Sequence, residues 1–188
     1  MTDFQGVENV LRSVPSHGWV GRRDRALLVL ARFAGLSYPE IAGLSTADVL
    51  VTGGVARIRT PHATVTLHST DDTLLCGPCG LARWLHVLDM TMTYPEGCVP
   101  AAVLARAALL AGDSPHACRV RHPGELSSVL HPVDLFPAVD PWGILAAAPG
   151  ARQHRPAAAA PASPWHIRPS SADQLEQRTN QLLGVGPS

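Results

Sequence analysis

The spacing of the apolar residues changes twice between residues 22 and 90, and this change limits the possible folds more than any other feature. In Arg22–Ala34 the apolar side chains recur every three or four residues, which is typical of an amphipathic helix. After Asp48, short β-branched runs predict three strands, Val49–Val51, Val55–Ile58 and Thr64–His68. Helical spacing returns in Leu81–Met90. We therefore expect a mainly α-helical chain with a small antiparallel β-sheet, an α+β fold.

Local signals mark the ends of these elements. Gly53-Gly54 predicts a tight turn between the first two strands, and Gly35 is a suitable stop for the first long helix. Ser37 and Glu40 have the spacing of a capping box, in which each side chain satisfies a free backbone N–H group. We therefore expect Ser37 to cap a short second helix, with Pro39 in its first turn.

The chain is expected to have five parts. Residues 1–21 form a helix and a loop, and residues 22–121 form the core, which includes a further helix at Pro100–Ala111. Residues 122–145 are irregular and proline-rich, and residues 146–169 are an Ala/Pro tract typical of a disordered linker. Residues 170–184 predict a capped helix that ends at Gly184. Its apolar face is thin and could accept a protein partner (Leu175, Leu182, Leu183).

Composition excludes several classes of function. The formal net charge is zero and all 15 cationic residues are arginine, so no chemical step can use a lysine ammonium group. No apolar run approaches the length of a membrane span, and the N-terminus does not have the pattern of a secretory signal. We therefore expect a cytoplasmic protein with no membrane partner and with reduced cysteines. No glycine-rich phosphate loop or catalytic metal motif is present, so no cofactor is expected.

Three stretches together resemble a known family. They are RRDRALLVLARFAGLSYPEIAGLSTADV with the predicted strands that follow, LLCGPCGLARWLHVLD, and LARAALLAGDSPHACR. In this order they resemble the catalytic domain of tyrosine recombinases (phage integrases), of the type found in actinobacteria. The resemblance covers Arg22 to Arg119 and implies a recombinase-like fold whose C-terminal part is incomplete.

The resemblance also implies a set of catalytic residues, and most of them are missing. His116 and Arg119 match the second-arginine box of the family. Ser37 stands where the first catalytic arginine is expected, and no lysine is available for the hairpin position. The only tyrosines, Tyr38 and Tyr94, precede the second-arginine box, whereas the nucleophile belongs after it. We therefore expect a degenerate, non-enzymatic relative that binds DNA or is a remnant of an integrase.

The expected partner is double-stranded DNA, contacted through five arginines (Arg22, Arg23, Arg25, Arg57, Arg59). Two alternatives remain. The first is a regulator with a helix-turn-helix motif, because residues 25–49 also resemble region four of sigma factors. The stretch after Ser45, however, predicts a hairpin where a recognition helix should follow. The second is a protein-interaction scaffold, in which the arginines are only a solvated surface.

The Cys76-Gly-Pro-Cys79 motif has two chemical interpretations. It matches the redox motif of thioredoxins, but the residues before it do not predict the βαβ unit of that fold. Cys76 and Cys79 also have the spacing of zinc ligands, with Cys98, Cys118, His86 and His116 as candidates for the other two positions. Because no second pair of closely spaced ligands is evident, the sequence favours a simpler interpretation, in which the two cysteines are small residues at the start of a helix and bind no metal.

Overall fold

The computed structural model describes residues 4–15, 18–93, 116–119, 133–137 and 171–185. The predicted helix at Pro100–Ala111 and the predicted linker at 146–169 lie outside these ranges. The α-helices are α1 (Phe4–Ser13), α2 (Gly18–Leu28), α3 (Tyr38–Ala42), α4 (Gly77–Thr93) and α5 (Ala172–Leu183). The strands are β1 (Val49–Thr52), β2 (Val55–Arg59) and β3 (Thr64–His68), and single 3₁₀ turns lie at Thr46–Asp48 and Ala117–Arg119. The predicted α+β fold with a small antiparallel sheet is confirmed.

Helix α2 begins earlier than the apolar pattern predicts. It starts at Gly18, inside the stretch that the sequence indicates to be a loop, because residues 18–21 carry too few apolar side chains to show helical spacing. It continues as a π-helical turn over Val29–Phe33, where the Ala34 N–H donates to the Val29 carbonyl at 2.9 Å. Gly35 then ends the helix with a φ of +67°, as predicted.

The capping prediction for α3 is also confirmed. The backbone N–H and the hydroxyl of Ser37 both donate to the Glu40 carboxylate, at 2.9 and 2.6 Å. These two hydrogen bonds lower the pKa of Glu40. Ser37 therefore acts as the N-cap of the short helix.

The sheet has the order β1-β2-β3, and both pairings are antiparallel. Side chains alternate between its faces, so that Val49, Val51, Ala56 and Ile58 are buried against the helices. Gly53 and Gly54 both have positive φ, as the predicted tight turn between β1 and β2 requires.

The core lies between this inner sheet face, α2 and α4. Trp84 of α4 is fully buried, and its indole Nε1–H donates to the Leu135 carbonyl at 2.7 Å. Its ring stacks on Phe136 with centroids 6.1 Å apart. Residues 133–137, which the sequence indicates only as part of an irregular proline-rich stretch, therefore contribute to the core.

Helix α5 packs against α1, α2 and α3. Leu175 is fully buried there, and Arg178 forms a paired contact with the buried carboxylate of Asp24. The main apolar residue that the sequence offers to a protein partner is thus covered by the chain itself. Within the described residues, the structure contains no helix with the length and hydropathy needed to cross a bilayer.

Candidate functional sites: the outer sheet face and a cysteine–histidine cluster

The solvent-facing side of the sheet is the first candidate site, and we call it the outer sheet face. It is formed by the exposed residues Leu50, Thr52, Arg57, Arg59, Thr64, Thr66 and His68. In the register of the sheet, Arg57 lies between Leu50 and Thr66, and Arg59 lies opposite Thr64. None of these seven side chains is a carboxylate, so the face carries hydroxyl groups and two positive charges although the chain as a whole is neutral.

The carboxylate of Asp48 borders this face, and Glu40 lines the same depression beside Arg59. The Arg59 guanidinium donates to Asp48 at 3.1 Å, and the backbone N–H and hydroxyl of Ser45 donate to the same carboxylate at 3.0 and 2.6 Å. Partial burial raises the pKa of Asp48, but the hydrogen bonds from Ser45 and Arg59 outweigh it and the net shift is downward. The exposed Arg59 therefore forms an ion pair with Asp48. Arg57 forms no such ion pair with any of the described residues.

Arg119 lies at the turn end of the sheet. The Gly54 N–H donates to the Cys118 carbonyl at 3.0 Å, so the turn between β1 and β2 holds the segment that bears Arg119. A side chain at position 54 would meet the Ser69 hydroxyl at 3.0 Å and Arg119 Cγ at 3.8 Å, and its φ of +83° also favours glycine. The exposed Arg119 is thus fixed near one end of the strand that carries Arg57 and Arg59.

The other predicted DNA-binding arginines do not join this surface. Arg22 and Arg25 are each only 3% exposed, and Arg23 is half-buried beside the Phe136 ring, 5.9 Å from its centroid. Arg25 donates to the carbonyl groups of Leu11, Val14 and Leu74, so it connects α1 to the loop before α4. Arg22 and Arg25 are thus too buried to contact DNA as the sequence predicts, because the helical pattern around α2 does not separate an exposed arginine from one that satisfies buried carbonyl groups.

The helix-turn-helix interpretation is not supported by the chain path. After α3, the 3₁₀ turn at Thr46–Asp48 leads directly into β1. No recognition helix follows in this part of the chain, which is fully described from residue 18 to residue 93.

The second candidate site is a cluster of four metal-ligating side chains. Cys76, Cys79, His116 and Cys118 come together with their ligand atoms all within 4.8 Å of one another. Cys79 Sγ lies 3.3 Å from His116 Nδ1 and 3.4 Å from Cys118 Sγ, and Cys76 Sγ lies 3.8 Å from Cys118 Sγ. The three cysteines are buried, and His116 is half-buried.

Two short segments build this cluster. Cys76 directly precedes α4 and Cys79 is in its first turn, where the Gly80 N–H donates to the Cys76 carbonyl at 3.0 Å. The glycines of this turn allow close packing, since a Cβ at Gly77 would lie 3.3 Å from Leu67 and one at Gly80 would lie 3.3 Å from Val29. His116 and Cys118 come from the second segment, around the 3₁₀ turn Ala117–Arg119.

The thiols influence one another's protonation. A hydrogen bond to Cys79 and burial raise the pKa of Cys76 to about 12, and the same hydrogen bond lowers the pKa of Cys79 against its burial. Burial also raises the pKa of Cys118. Backbone N–H groups of Thr70, Cys79 and Cys118 point at the sulfur atoms and favour their charged forms.

The sequence-based statement that no second close pair of ligands accompanies Cys76 and Cys79 is wrong, because His116 and Cys118, two of the named candidates, lie beside them. The missed signal is His116-Ala-Cys118, a close pair of metal-ligating residues that is hidden inside the second-arginine box. His116, predicted as a residual catalytic residue, is a member of this cluster. Arg119, predicted to act with it, is exposed at the turn end of the sheet.

Comparison of the chain with protein-family models, curated proteins and solved structures returns no match. The relationship to tyrosine recombinases therefore stays a prediction from the motifs.

Proposed function

We propose that the chain is a non-catalytic, recombinase-like protein that binds double-stranded DNA through its outer sheet face. The observation that carries this proposal is the arrangement of Arg57 and Arg59 on one exposed, carboxylate-free sheet surface, with Arg119 at its turn end. Arginine and threonine are the donors that proteins commonly use on DNA phosphates, and small β-sheets are an established means of entering a groove.

Spacing supports contact with successive phosphate groups rather than with a single anion. Arg57 and Arg59 are two residues apart on one strand, so their Cα atoms are roughly 7 Å apart. Thr64 and Thr66, on the neighbouring strand, lie opposite these two arginines and add hydroxyl donors. Such a surface is expected to bind the DNA backbone with little preference for base sequence.

The absence of catalysis is part of the proposal. Ser37 replaces the first catalytic arginine and is already engaged as a helix cap. Loss of one such phosphate-binding donor typically costs about two to three orders of magnitude in rate. The chain also has no lysine and no tyrosine after Arg119. We therefore expect no covalent protein–DNA intermediate.

The proposal is tested by fluorescence anisotropy with a labelled DNA duplex at low salt. Arg57→Gln combined with Arg59→Gln is expected to weaken binding by roughly tenfold or more, because two charge-assisted contacts are lost. Arg12→Gln, at an exposed position on α1, serves as a control for the loss of one positive charge outside the outer sheet face. Equal affinities for the wild type and the double variant would contradict the proposal.

A gain of affinity provides an independent test that misfolding cannot mimic. Asp48→Asn removes the carboxylate that competes for Arg59 while leaving a side chain able to accept hydrogen bonds from Ser45. An exposed ion pair is worth about 0–1 kcal/mol, so the Asp48→Asn variant is expected to bind duplex DNA up to about fivefold more tightly. The gain should disappear when Arg59 is also replaced by Gln. A gain that persists without Arg59 would show that Asp48 acts through another group.

A further inference from the structure

We propose that Cys76, Cys79, His116 and Cys118 bind one zinc ion in a closed, structural site. Three cysteine sulfurs and one imidazole nitrogen are a ligand set that zinc commonly takes in structural sites. Tetrahedral coordination leaves no position open when the protein supplies all four ligands, so the site is structural rather than catalytic. This inference does not depend on DNA binding.

The geometry fits a tetrahedral zinc ion. With Zn–S bonds of about 2.3 Å and a Zn–N bond of about 2.0–2.1 Å, tetrahedral ligands lie about 3.8 Å apart for two sulfurs and about 3.5 Å apart for sulfur and nitrogen. The separation of Cys76 Sγ and Cys118 Sγ is 3.8 Å, and Cys79 Sγ is 3.4 Å from Cys118 Sγ. His116 Nδ1 lies 3.3 Å from Cys79 Sγ and 4.0 Å from Cys118 Sγ. The remaining two pairs, which both involve Cys76 Sγ, lie within 4.8 Å, so side-chain shifts of about 1 Å or less would complete the tetrahedron.

Zinc binding would change the charge of this buried cluster. Zinc binding replaces the three thiol protons, which pass to solvent, and leaves a centre with a net charge of −1. The Arg25 guanidinium is close enough to Cys79 for the two charges to interact, so it would partly balance this negative charge.

The ion would join parts of the fold that are distant in sequence. Two ligands belong to the start of α4. The other two belong to the segment whose Cys118 carbonyl accepts a hydrogen bond from the Gly54 N–H of the sheet turn. Zinc would thus fix residues 116–119, including the exposed Arg119, against both α4 and the sheet. A redox motif needs only Cys76 and Cys79, so it would not explain why Cys118 and His116 lie beside them.

The first test is the metal content of the full-length chain, purified under reducing conditions from zinc-supplemented cells. We expect one zinc per chain in the wild type. The Cys98→Ser variant should also bind one zinc per chain, because three sulfurs and one nitrogen already complete the site. The His68→Ala variant, which lacks an exposed histidine of β3, should bind one zinc as well. Cys118→Ser and His116→Ala are expected to lose most of the metal. Loss of zinc from Cys98→Ser to the same extent would overturn the assigned ligand set.

Because metal loss from a variant could also follow from unfolding, the second test uses the wild-type chain alone. Zinc is removed with a chelator, and Co²⁺ is titrated in without oxygen. One equivalent is expected to give the intense visible bands of tetrahedral cobalt and a thiolate-to-cobalt charge-transfer band, both of which disappear when one equivalent of zinc is added. A wild-type chain that is purified without metal and gives no thiolate charge-transfer band would overturn the proposal.

Discussion

Removal of zinc with a strong chelator is expected to lower the thermal unfolding midpoint of the wild-type chain by about 8–16 °C. A ligand that is present at 1,000 times its dissociation constant stabilises the folded state by about 4 kcal/mol. In a chain of this size, each kcal/mol corresponds to about 2–4 °C in the midpoint. The stabilisation arises because metal ligation joins residues 116–119 to the start of α4, in addition to the burial of Cys118 and the Gly54–Cys118 hydrogen bond.

The effect of the chelator can be separated from general effects on the chain by comparing variants. Cys118→Ser should already unfold at the lower temperature and should respond little to the chelator. Cys98→Ser should behave as the wild type does. Differential scanning calorimetry under reducing conditions measures all three, and an unchanged midpoint for the chelated wild type would contradict a stabilising metal.

Replacing Arg25 with Met is expected to lower the free energy of unfolding by about 3–5 kcal/mol. Arg25 is 3% exposed and donates to three backbone carbonyl groups, those of Leu11, Val14 and Leu74. Methionine preserves much of the apolar stem but leaves these acceptors without their donor, at about 1–3 kcal/mol for each that stays buried. Burial, with the nearby charge of Arg83, lowers the pKa of Arg25 to about 10, so the side chain is still charged at neutral pH.

Arg12→Gln is the matched control for this substitution. Arg12 pairs with Asp72 at 2.8 Å, but its side chain is 50% exposed, so its loss should cost about 0–1 kcal/mol. Urea denaturation measures both variants. A cost for Arg25→Met no larger than that for Arg12→Gln would contradict the bridging role of Arg25. The same comparison distinguishes a structural arginine from the DNA contact that the sequence suggested at this position.

Local chemistry was the part of the fold that the sequence could predict. The glycine turn at Gly53-Gly54, the cap at Ser37 and the end of α5 at Gly184 each follow from a backbone requirement that only a few residue types satisfy. The three strands were predictable because one face of the sheet is buried and the other is exposed, so that apolar and polar side chains alternate along the strands.

Long-range contacts were the part that the sequence could not predict. Nothing in residues 133–137 indicates that Phe136 stacks on Trp84, because five residues are too few to show a period. The burial of Arg25 depends on carbonyl groups in α1 and in the loop before α4, which no helical pattern in α2 can reveal. The four ligands were separately visible, but their meeting requires the path of the chain between Cys79 and His116.

The salt dependence of duplex DNA binding by the wild-type chain tests the proposed function most directly. If Arg57, Arg59 and Arg119 each neutralise one phosphate, the logarithm of the association constant should fall linearly with the logarithm of salt concentration, with a slope of about −2.7. Replacing Arg57 and Arg59 by Gln should bring the slope to roughly −0.9. No detectable binding at low salt, or binding that does not respond to salt, would contradict the account.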